Sequence, residues 1–227
     1  MGKLKVLVLG DGLLGGEIIK QTGWDYLSRK KDNIDINNIN DWLDKMLNYD
    51  VIINCIANTD TYSTEREGHW NINYKFVDCL IKFCNETDTK LVHISTDYLY
   101  AGSIPNATEE DVPVHSNNWY GYTKLLADGL VQLHSNKYLI CRCTHKPKPF
   151  PWDAAWIDQV GNFDYVDVIS KLIIKTIKAK VNGVYNIGTD LKTIHELANQ
   201  TRVVNKILAP EQAPKNQSMD VSKLNKI

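Results

Sequence analysis

The sequence lacks an excess of charge of either sign. Its 26 Lys and Arg residues nearly balance its 27 Asp and Glu residues, and the formal net charge is −1. Proteins that bind nucleic acid or an anionic membrane surface usually carry a clear basic excess. We therefore expect neither a nucleic acid nor a membrane among the partners of this protein.

Cysteine is scarce, and its spacing does not match the common cysteine-rich sites. The five cysteines are odd in number, and no two of them form a C-x-x-C pair. This pattern argues against a disulfide framework and against a zinc knuckle. We expect reduced, mostly buried thiols and no metal site. A redox-sensing role for Cys141 and Cys143 has only their spacing in its favour.

Long hydrophobic runs are absent as well. The first ten residues, M-G-K-L-K-V-L-V-L-G, contain an apolar run far too short to span a membrane and no signal-peptide cleavage pattern. A hydrophobic content of 43% and a charged content of 23% are typical of a soluble globular protein. We therefore expect a cytoplasmic location.

Short apolar segments alternate along the chain with longer amphipathic segments. This alternation predicts an α/β fold, a Rossmann-type doubly wound parallel sheet with helices on both faces and a small C-terminal lobe. The predicted strands are residues 6–9, 24–28, 51–55, 91–95, 138–141 and 184–187. The predicted helices are residues 13–21, 39–48, 65–85, 119–135 and 164–180. Residues 99–118 and 144–161, rich in Pro, Asn and aromatic residues, are predicted to be long loops at the carboxyl edge of the sheet, where such sheets bind ligands.

The first predicted strand leads directly into G-D-G-L-L-G, which places glycines at Gly10, Gly12 and Gly15 around Leu13 and Leu14. Glycines at this spacing permit a tight turn and a close approach of the backbone to a pyrophosphate, which the following helix N-terminus attracts. The position between a strand and a helix favours a dinucleotide site. The alternative is a simple glycine-rich turn.

About 20 residues after the first glycine, the chain has Ser28, Arg29 and Lys30 where an NAD site usually carries an acid. An arginine there suits a 2′-phosphate, because it can form bidentate charge-assisted hydrogen bonds. We expect NADP(H) to be preferred, with NAD(H) possible. The alternative is a solvated basic turn, with Asp32 contacting the ribose.

The segment W-Y-G-Y-T-K places Tyr120 and Lys124 four residues apart, on one face of a predicted helix that Tyr122 does not share. A cation one helical turn away favours the phenolate form of a tyrosine, so the two residues are a candidate catalytic pair. The alternative is an exposed tyrosine beside a solvated lysine. His93 is interpreted as a core histidine rather than a catalytic base, and Asp97 as a loop or helix-end hydrogen-bonding residue.

Several motifs in order along the chain carry a family resemblance. After the glycine loop come N-C-I-A-N-T, H-I-S-T-D-Y-L-Y and Y-G-Y-T-K, then D-Q-V-G-N-F-D-Y-V-D-V, G-V-Y-N-I-G-T and A-P-K-N-Q-S-M-D-V-S-K-L. With these motifs the chain resembles the extended short-chain dehydrogenase/reductase family, and within it most closely the dTDP-4-dehydrorhamnose reductases, which reduce a nucleotide-linked 4-keto-6-deoxy sugar. The resemblance covers nearly the whole chain.

The resemblance implies a role for individual residues. Tyr120, Lys124 and Thr96 match the catalytic triad, with Ser95 as the fallback hydroxyl. Asp35 and Ile36 match a pair near the adenine, and Cys55, Ile56 and Ala57 match the strand end beside the nicotinamide. Thr59, Thr61 and Tyr98 match positions near the sugar.

The chain also departs from the family pattern. The glycine loop is one residue shorter than usual, and Ala213 replaces an arginine. His145 stands where the reductases carry a tryptophan that packs on the sugar, and residues 146–158 are much shorter than the usual substrate lobe. These departures put the identity of the substrate in question.

The resemblance implies an NADPH-dependent nucleotide-sugar reductase, with a dinucleotide-binding core over residues 1–142 and short substrate-binding elements over 143–227. One alternative is an epimerase or dehydratase of the same family, although a dehydratase commonly needs an Asp-Glu pair where this chain has Asp97-Tyr98. Another is a non-catalytic NADP-binding regulatory subunit. Relatives commonly pair through two long helices, which predicts a homodimer through residues 65–85 and 119–135.

Overall fold

The structure, a computed structural model, describes residues 4–111, 113 and 118–227. These residues form two units. The first consists of residues 4–95, 118–141 and 181–183, and the second of residues 96–111, 113, 142–180 and 184–227. The boundary expected between residues 142 and 143 stays a prediction.

The strands and helices are numbered in chain order. The strands are β1 Val6–Leu9, β2 Asp25–Leu27, β3 Val51–Asn54, β4 Lys90–Ser95, β5 Tyr138–Arg142, β6 His145–Lys146, β7 Ala154–Trp156, β8 Val160–Gly161, β9 Asp164–Tyr165, β10 Gly183–Asn186, β11 Lys192–Thr193, β12 Asn205–Ile207 and β13 Asn216–Gln217. The α-helices are α1 Leu13–Thr22, α2 Arg29–Asp32, α3 Arg66–His69, α4 Phe76–Glu86, α5 Trp119–His134, α6 Val166–Lys178, α7 Ile194–Asn199 and α8 Ser222–Asn225.

The main sheet has six strands in the order β10-β5-β4-β3-β1-β2. β1 pairs in parallel with β2 and with β3, and β3 pairs in parallel with β4. Every residue of β1 and β3 is buried, as expected for central strands of a parallel sheet covered on both faces. The predicted α/β fold with a parallel, Rossmann-like sheet is confirmed.

The order of the strands determines where a ligand can bind in the first unit. β1 lies between β2 and β3, so the chain leaves β1 in one direction along the sheet and returns on the other side. In open α/β sheets, ligands bind at the carboxyl ends of the strands where the order reverses. The residues that follow β1 and β3 lie at this switch point.

The predicted helix over residues 65–85 is present but not regular. α3 and α4 are joined without a break by a π-helical turn, Trp70–Lys75, which contains the buried Asn73. A single π-turn inside an α-helix is rare and often occurs at functional sites. This helix packs against α5, and the side-chain amide of Asn85 donates to the His134 carbonyl at 2.7 Å.

The predicted helix over residues 39–48 is wrong. The structure has two short 3-10 turns instead, Ile36–Asp41 and Leu43–Met46, with non-helical backbone at Asn38. Asp35 starts the first turn by accepting from the Asn37 amide at 2.9 Å. Asn and Asp side chains form hydrogen bonds with nearby backbone groups and so compete with the α-helix for them. This competition explains why residues 39–48 form 3-10 turns instead of the predicted α-helix.

The second unit contains three small sheets. β8 pairs antiparallel with β11 and parallel with β13, β7 pairs with β12, and β6 pairs with β9. Its main core is formed by buried side chains of β7, β9 and α7 and their flanks: Phe150, Ala155, Phe163, Tyr165, Ile194, Leu197, Ala198 and Val204. The prediction of a long loop over residues 144–161 is wrong, because β6, β7 and β8 lie there.

The other predicted loop, residues 99–118, is described only in part. The structure shows a 3-10 turn over Asp97–Tyr100 and a bridge between Ala107 and Met219, while residues 112 and 114–117 lie outside the described residues. Across the described ranges, no helix is both long enough and apolar enough to cross a membrane.

Candidate active site

Two glycines of the loop after β1 are required by close packing within the first unit. Gly10 has a positive φ of 93°, and a Cβ atom on it would lie 3.0 Å from the Ile56 side chain. A Cβ atom on Gly15 would lie 2.0 Å from the Gly10 carbonyl oxygen. The start of α1 is therefore packed directly on the loop, as the glycine spacing predicts.

Gly12 is different, because it faces open space. No described atom lies within 4 Å of the position that its Cβ would occupy. Gly12 is also the N-cap of α1, and among the described residues no side chain caps this helix and no acid lies in its first turn. The backbone N–H groups at a helix N-terminus attract anions. This open cradle beside the switch point fits the pyrophosphate of a dinucleotide. Leu13 beside it is exposed and Leu14 is buried.

The chain after β3 runs alongside the glycine loop. The Cys55 amide donates to the Leu9 carbonyl at 3.0 Å, and Cys55, Ile56 and Ala57 are partly buried. Burial raises the pKa of the Cys55 thiol to about 12, an effect increased by Cys141 and opposed by the charge of Lys124. The Cys55 thiol is therefore protonated at neutral pH.

The basic segment after β2 forms the one-turn helix α2. Ser28 caps it by accepting from the Lys31 amide at 3.1 Å, and the Asp32 carboxylate accepts from the Ser28 amide at 3.0 Å. Arg29 and Lys30 are exposed. Ser28 and Asp32 thus use hydrogen bonds inside the turn, while the two cationic side chains face solvent. Asp35 is exposed and Ile36 partly buried in the following 3-10 turn.

Tyr120 and Lys124 lie one turn apart on α5. Asn118 caps this helix by accepting from the Gly121 amide at 2.8 Å. Tyr120 is partly buried and Lys124 is only 2% exposed. The Lys124 ammonium donates to the Ile94 carbonyl at 2.6 Å and lies 3.3 Å from His93 Nε2. The alternative of a solvated lysine is therefore wrong.

A buried asparagine links α5 to the loop after β3. Asn73 in the π-turn accepts from the Asn58 amide at 2.8 Å, and its Nδ2 donates to the Asn58 carbonyl at 2.9 Å and to Thr123 Oγ1 at 3.1 Å. Thr123 immediately precedes Lys124. Asn73 thus fixes the loop of the predicted nicotinamide end relative to the helix that carries Lys124.

The fallback hydroxyl, Ser95, is committed to another contact in the first unit. It donates to the buried carboxylate of Asp128 at 2.9 Å. Ser95 therefore acts as a structural partner of α5, and Thr96 Oγ1 likewise donates to a carboxylate oxygen, Asp97 Oδ1, at 3.4 Å.

Within the second unit, Thr96 is buried and caps the 3-10 turn by accepting from the Tyr98 amide at 3.1 Å. Its neighbour Asp97 is completely buried and does more than cap a loop. Asp97 Oδ1 accepts from Thr144 Oγ1 at 2.6 Å and from Gln217 Nε2 at 3.3 Å, while Oδ2 has no partner among the described residues. Burial raises the Asp97 pKa to about 6, against the opposing effects of Thr144 and the Lys146 charge.

The remaining predicted sugar contacts belong to both units, Thr59 and Thr61 to the first and Tyr98 and His145 to the second. Thr59 is exposed and Thr61 partly buried in the loop after β3, and Tyr98 is partly buried in the 3-10 turn. His145 begins β6, and its Nδ1 is buried with no partner in the part of the chain that the structure describes. Burial, with a smaller effect of the Lys146 charge, lowers the His145 pKa to about 4, so this ring is neutral at physiological pH.

Comparison with known proteins identifies the family. Residues 4–145 match the model of the RmlD substrate binding domain family, which is more than half of the chain. The chain belongs to this family. The resemblance inferred from the sequence motifs is thereby confirmed.

The RmlD-family chain is similar to several characterised proteins. It is 33% identical over 100 residues to the dTDP-4-dehydrorhamnose reductase of Shigella flexneri, a match covering 43% of this chain and 33% of that protein. The chain spans about a third of the length of the curated reductases that it matches at 33 to 35% identity.

Solved structures match over more of the length. The structure of dTDP-4-dehydrorhamnose reductase from Bacillus anthracis in complex with NADP has a TM-score of 0.83 at 22% identity, covering 100% of this chain and 92% of that one. MoeE5 in complex with UDP-glucose and NAD has a TM-score of 0.78 at 18% identity, covering 98% of this chain and 91% of that one. At these identities the structural matches show that the RmlD-family chain shares the fold.

Sequence reasoning missed two buried polar networks of this RmlD-family chain, that of Asn73 in the first unit and that of Asp97 in the second. An asparagine in the middle of a predicted helix has poor helix propensity and was a usable signal. The partners of Asp97, Thr144 and Gln217, lie 47 and 120 residues further along the chain. No local pattern indicates them. Among the described residues, no group of three or more His, Cys, Asp or Glu side chains could hold a metal ion.

Asp97→Asn should stabilise the protein at neutral and alkaline pH. The folded-state pKa of about 6 lies above the ordinary 3.8, so the native state holds the proton more tightly than the unfolded state between these values. Wild-type stability should therefore fall as pH rises from about 4 to about 6 and then level off. Removing the ionisable group should raise the free energy of unfolding by about 3 kcal/mol at pH 8, with the gain vanishing towards pH 4.

Urea unfolding at pH 4, 6 and 8 measures this difference. The exposed Asp190→Asn is the matched control, which should stay within about 0.5 kcal/mol of wild type at every pH. An Asp97→Asn variant less stable than wild type at pH 8 would show that the charged carboxylate is the favoured form in the fold, contrary to this prediction.

Proposed function

We propose that this chain is an NADPH-dependent reductase of a nucleotide-linked 4-keto-6-deoxy sugar. The observation that carries the proposal is a buried lysine ammonium, Lys124, one helical turn from Tyr120 in a chain of the RmlD family. An ammonium withdrawn from water favours a negative charge on a nearby phenol. The names of similar proteins, dTDP-4-dehydrorhamnose reductases among them, support the substrate class.

The cofactor would lie along the carboxyl ends of β1 to β3. The glycine loop and the N-terminus of α1 would bind the pyrophosphate, with Gly12 giving the backbone access. Asp35 and Ile36 would lie near the adenine, and Cys55, Ile56 and Ala57 would pack against the nicotinamide end. When bound, the reduced nicotinamide supplies the hydride that is added to the ketone carbon.

The protein's own residues would handle the proton. Tyr120 would donate its phenolic proton to the ketone oxygen, which leaves a hydroxyl on the sugar and a phenolate that regains a proton from solvent. Lys124 would stabilise that phenolate and hold the cofactor ribose. Thr96 would hold the carbonyl oxygen by a hydrogen bond, and Thr59, Thr61, Tyr98 and His145 would contact the sugar.

The test is the absorbance at 340 nm of NADPH mixed with the protein and dTDP-4-keto-6-deoxy sugars. We expect stoichiometric oxidation of NADPH, with slower oxidation of NADH. Conversion of a nucleotide sugar without net NADPH oxidation would favour the epimerase or dehydratase alternative. Tight NADPH binding with no conversion of any such sugar would overturn the proposal in favour of a regulatory subunit.

Arg29→Ala should weaken NADPH binding by about 10- to 100-fold and leave NADH binding unchanged. The exposed Arg29 follows β2, where the adenine ribose is proposed to lie and a guanidinium would bind its 2′-phosphate. A charge-assisted pair contributes roughly 1.5 to 3 kcal/mol. Fluorescence titration with both cofactors measures the effect, and NADH is the internal control. An equal loss for both cofactors would contradict a role in 2′-phosphate recognition.

Assembly is a separate proposal. A homodimer would pair through the two long helical segments, Arg66 to Glu86 and α5. Light scattering of the purified protein measures the mass directly, and a single-chain mass of 25.9 kDa at micromolar concentration would contradict it.

A further inference from the structure

The head of Lys124 is bound to two successive residues of β4. Its ammonium donates to the Ile94 carbonyl at 2.6 Å and lies 3.3 Å from Nε2 of His93. His93 is completely buried and Lys124 nearly so. Both residues belong to the first unit, so this contact is internal to one compact body.

The chemistry of the contact determines the state of the histidine ring. An ammonium group can only donate hydrogen bonds, so Nε2 must accept and the ring proton must be on Nδ1. His93 Nδ1 is buried without a hydrogen-bond partner among the described residues. A buried, unpaired N–H group is unfavourable and rare. The ring thus leaves one nitrogen unpaired while the other faces the lysine.

The electrostatics agree with a neutral ring. Burial, and next the positive charge of Lys124, hold the pKa of His93 well below its ordinary value of 6.5. His93 therefore stays uncharged across the physiological range. The neutral His93 ring can therefore accept a hydrogen bond at this pH, beside a Lys124 ammonium that is largely shielded from solvent.

We propose that His93 is a positioning residue for Lys124: its neutral ring accepts a hydrogen bond from the ammonium through Nε2 and holds it against β4. This inference rests on the proposed function, in which Lys124 acts on Tyr120 and on the cofactor. The lone pair of His93 favours the charged lysine over the neutral amine, since an amine held there would donate more weakly. His93 would thus keep Lys124 protonated in a dry site.

The part of the chain that the structure describes places four other titratable groups around the pair. Cys55, after β3, has a pKa raised to about 12 by burial and is an uncharged thiol. Cys141 on β5 interacts with Cys55 and is also buried. Asp128, one turn further along α5, accepts from Ser95 at 2.9 Å and from Gln132 at 2.7 Å. Tyr120, one turn earlier, is the group on which the lysine charge is proposed to act.

The first test is nuclear magnetic resonance on the cofactor-free protein. Histidine ¹⁵N shifts should show His93 as a neutral ring protonated at Nδ1, and this ring should stay neutral to a lower pH than an exposed histidine such as His134. In Lys124→Met, the loss of the neighbouring charge should raise the His93 pKa by one unit or more. A ring protonated at Nε2 in the wild type, or an unchanged His93 titration in Lys124→Met, would overturn the inference.

The second test compares two substitutions of His93 by the titration of ¹³C-labelled Lys124. His93→Leu removes the acceptor and should lower the Lys124 pKa by at least one unit, a tenfold loss of proton affinity. His93→Gln keeps an acceptor oxygen and should retain most of the wild-type value. Equal Lys124 titrations in the Leu variant and wild type would overturn the inference. If His93→Leu does not fold, the Lys124→Met measurement decides the matter.

The enzymatic consequence separates this inference from the proposed function. In His93→Leu the alkaline limb of the kcat profile should move to lower pH, with KM for the keto sugar unchanged, while His93→Gln follows wild type. If the wild-type protein reduces no keto sugar but gives the expected resonances, the proposed function is wrong and the inference about His93 and Lys124 still holds. If the wild-type protein reduces the keto sugar but its His93 ring is protonated at Nε2, only the inference about His93 is wrong.

Discussion

Tyr120→Phe should lower the kcat of NADPH-dependent keto-sugar reduction by about 10²- to 10⁴-fold, the usual contribution of a positioned general acid. The ring remains, so the packing at the start of α5 should be preserved, and only the proton donor is lost. NADPH affinity should stay within about threefold of wild type, because the hydroxyl would act on the substrate rather than on the pyrophosphate.

The neighbouring Tyr122→Phe is the matched control. It removes the same hydroxyl from the same helix, two residues along and therefore on another face. Steady-state kinetics at 340 nm, with NADPH binding followed by fluorescence, should separate the two variants. If both lost activity alike, the effect would come from disturbance of α5, and the assignment of Tyr120 as the acid would fail.

Gly15→Ala and Gly12→Ala should have opposite consequences. A Cβ on Gly15 would lie 2.0 Å from the Gly10 carbonyl oxygen, and backbone cannot move aside cheaply. We expect a loss of about 2 to 4 kcal/mol in the free energy of unfolding. Gly12→Ala adds its methyl group to open space and should cost under about 1 kcal/mol, the price of a poorer N-cap.

For cofactor binding the order is reversed. The methyl group of Gly12→Ala would enter the space assigned to the pyrophosphate and should weaken NADPH binding at least tenfold, a loss of about 1.4 kcal/mol. Thermal unfolding and fluorescence titration measure the two quantities. Gly129→Ala, in α5 with no described atom within 4 Å, should raise stability by about 0.5 to 1 kcal/mol and leave binding unchanged. A Gly12→Ala protein that binds NADPH normally would place the pyrophosphate elsewhere.

Features with a local cause were predictable from the sequence. β1 matches its predicted residues, because a short apolar run of alternating Val and Leu directly before a glycine loop is typical of a buried strand. α5 was predicted to within one residue, since Asn118 supplies its cap and the buried positions recur at helical spacing. α7 was missed, although Thr193 and Glu196 form a capping box that the sequence displays.

Features with a distant cause were not predictable. The strands β6, β7 and β8 have two or three residues each, and their partners come from later parts of the chain. The same holds for the site. The glycine loop, Tyr120 and Lys124 are visible as motifs, whereas the contact of Lys124 with His93 spans 31 residues and depends on how α5 lies on β4.

The π-turn at Trp70–Lys75 has a consequence for the phase of its helix. A π-turn takes up one residue more than an α-helical turn, and each residue of an α-helix advances the side chains by about 100°. The inward-facing stripe of Val77, Leu80, Ile81 and Cys84 is therefore rotated relative to the face that would continue from α3. Deleting one residue from the turn would regularise the helix and lengthen its ladder of hydrogen bonds. The deletion would also rotate one part of the helix relative to the other, so that either Asn73 or the apolar stripe would face water. If Asn73 faced water, the hydrogen bonds that link Asn58 to Thr123 through Asn73 would be lost.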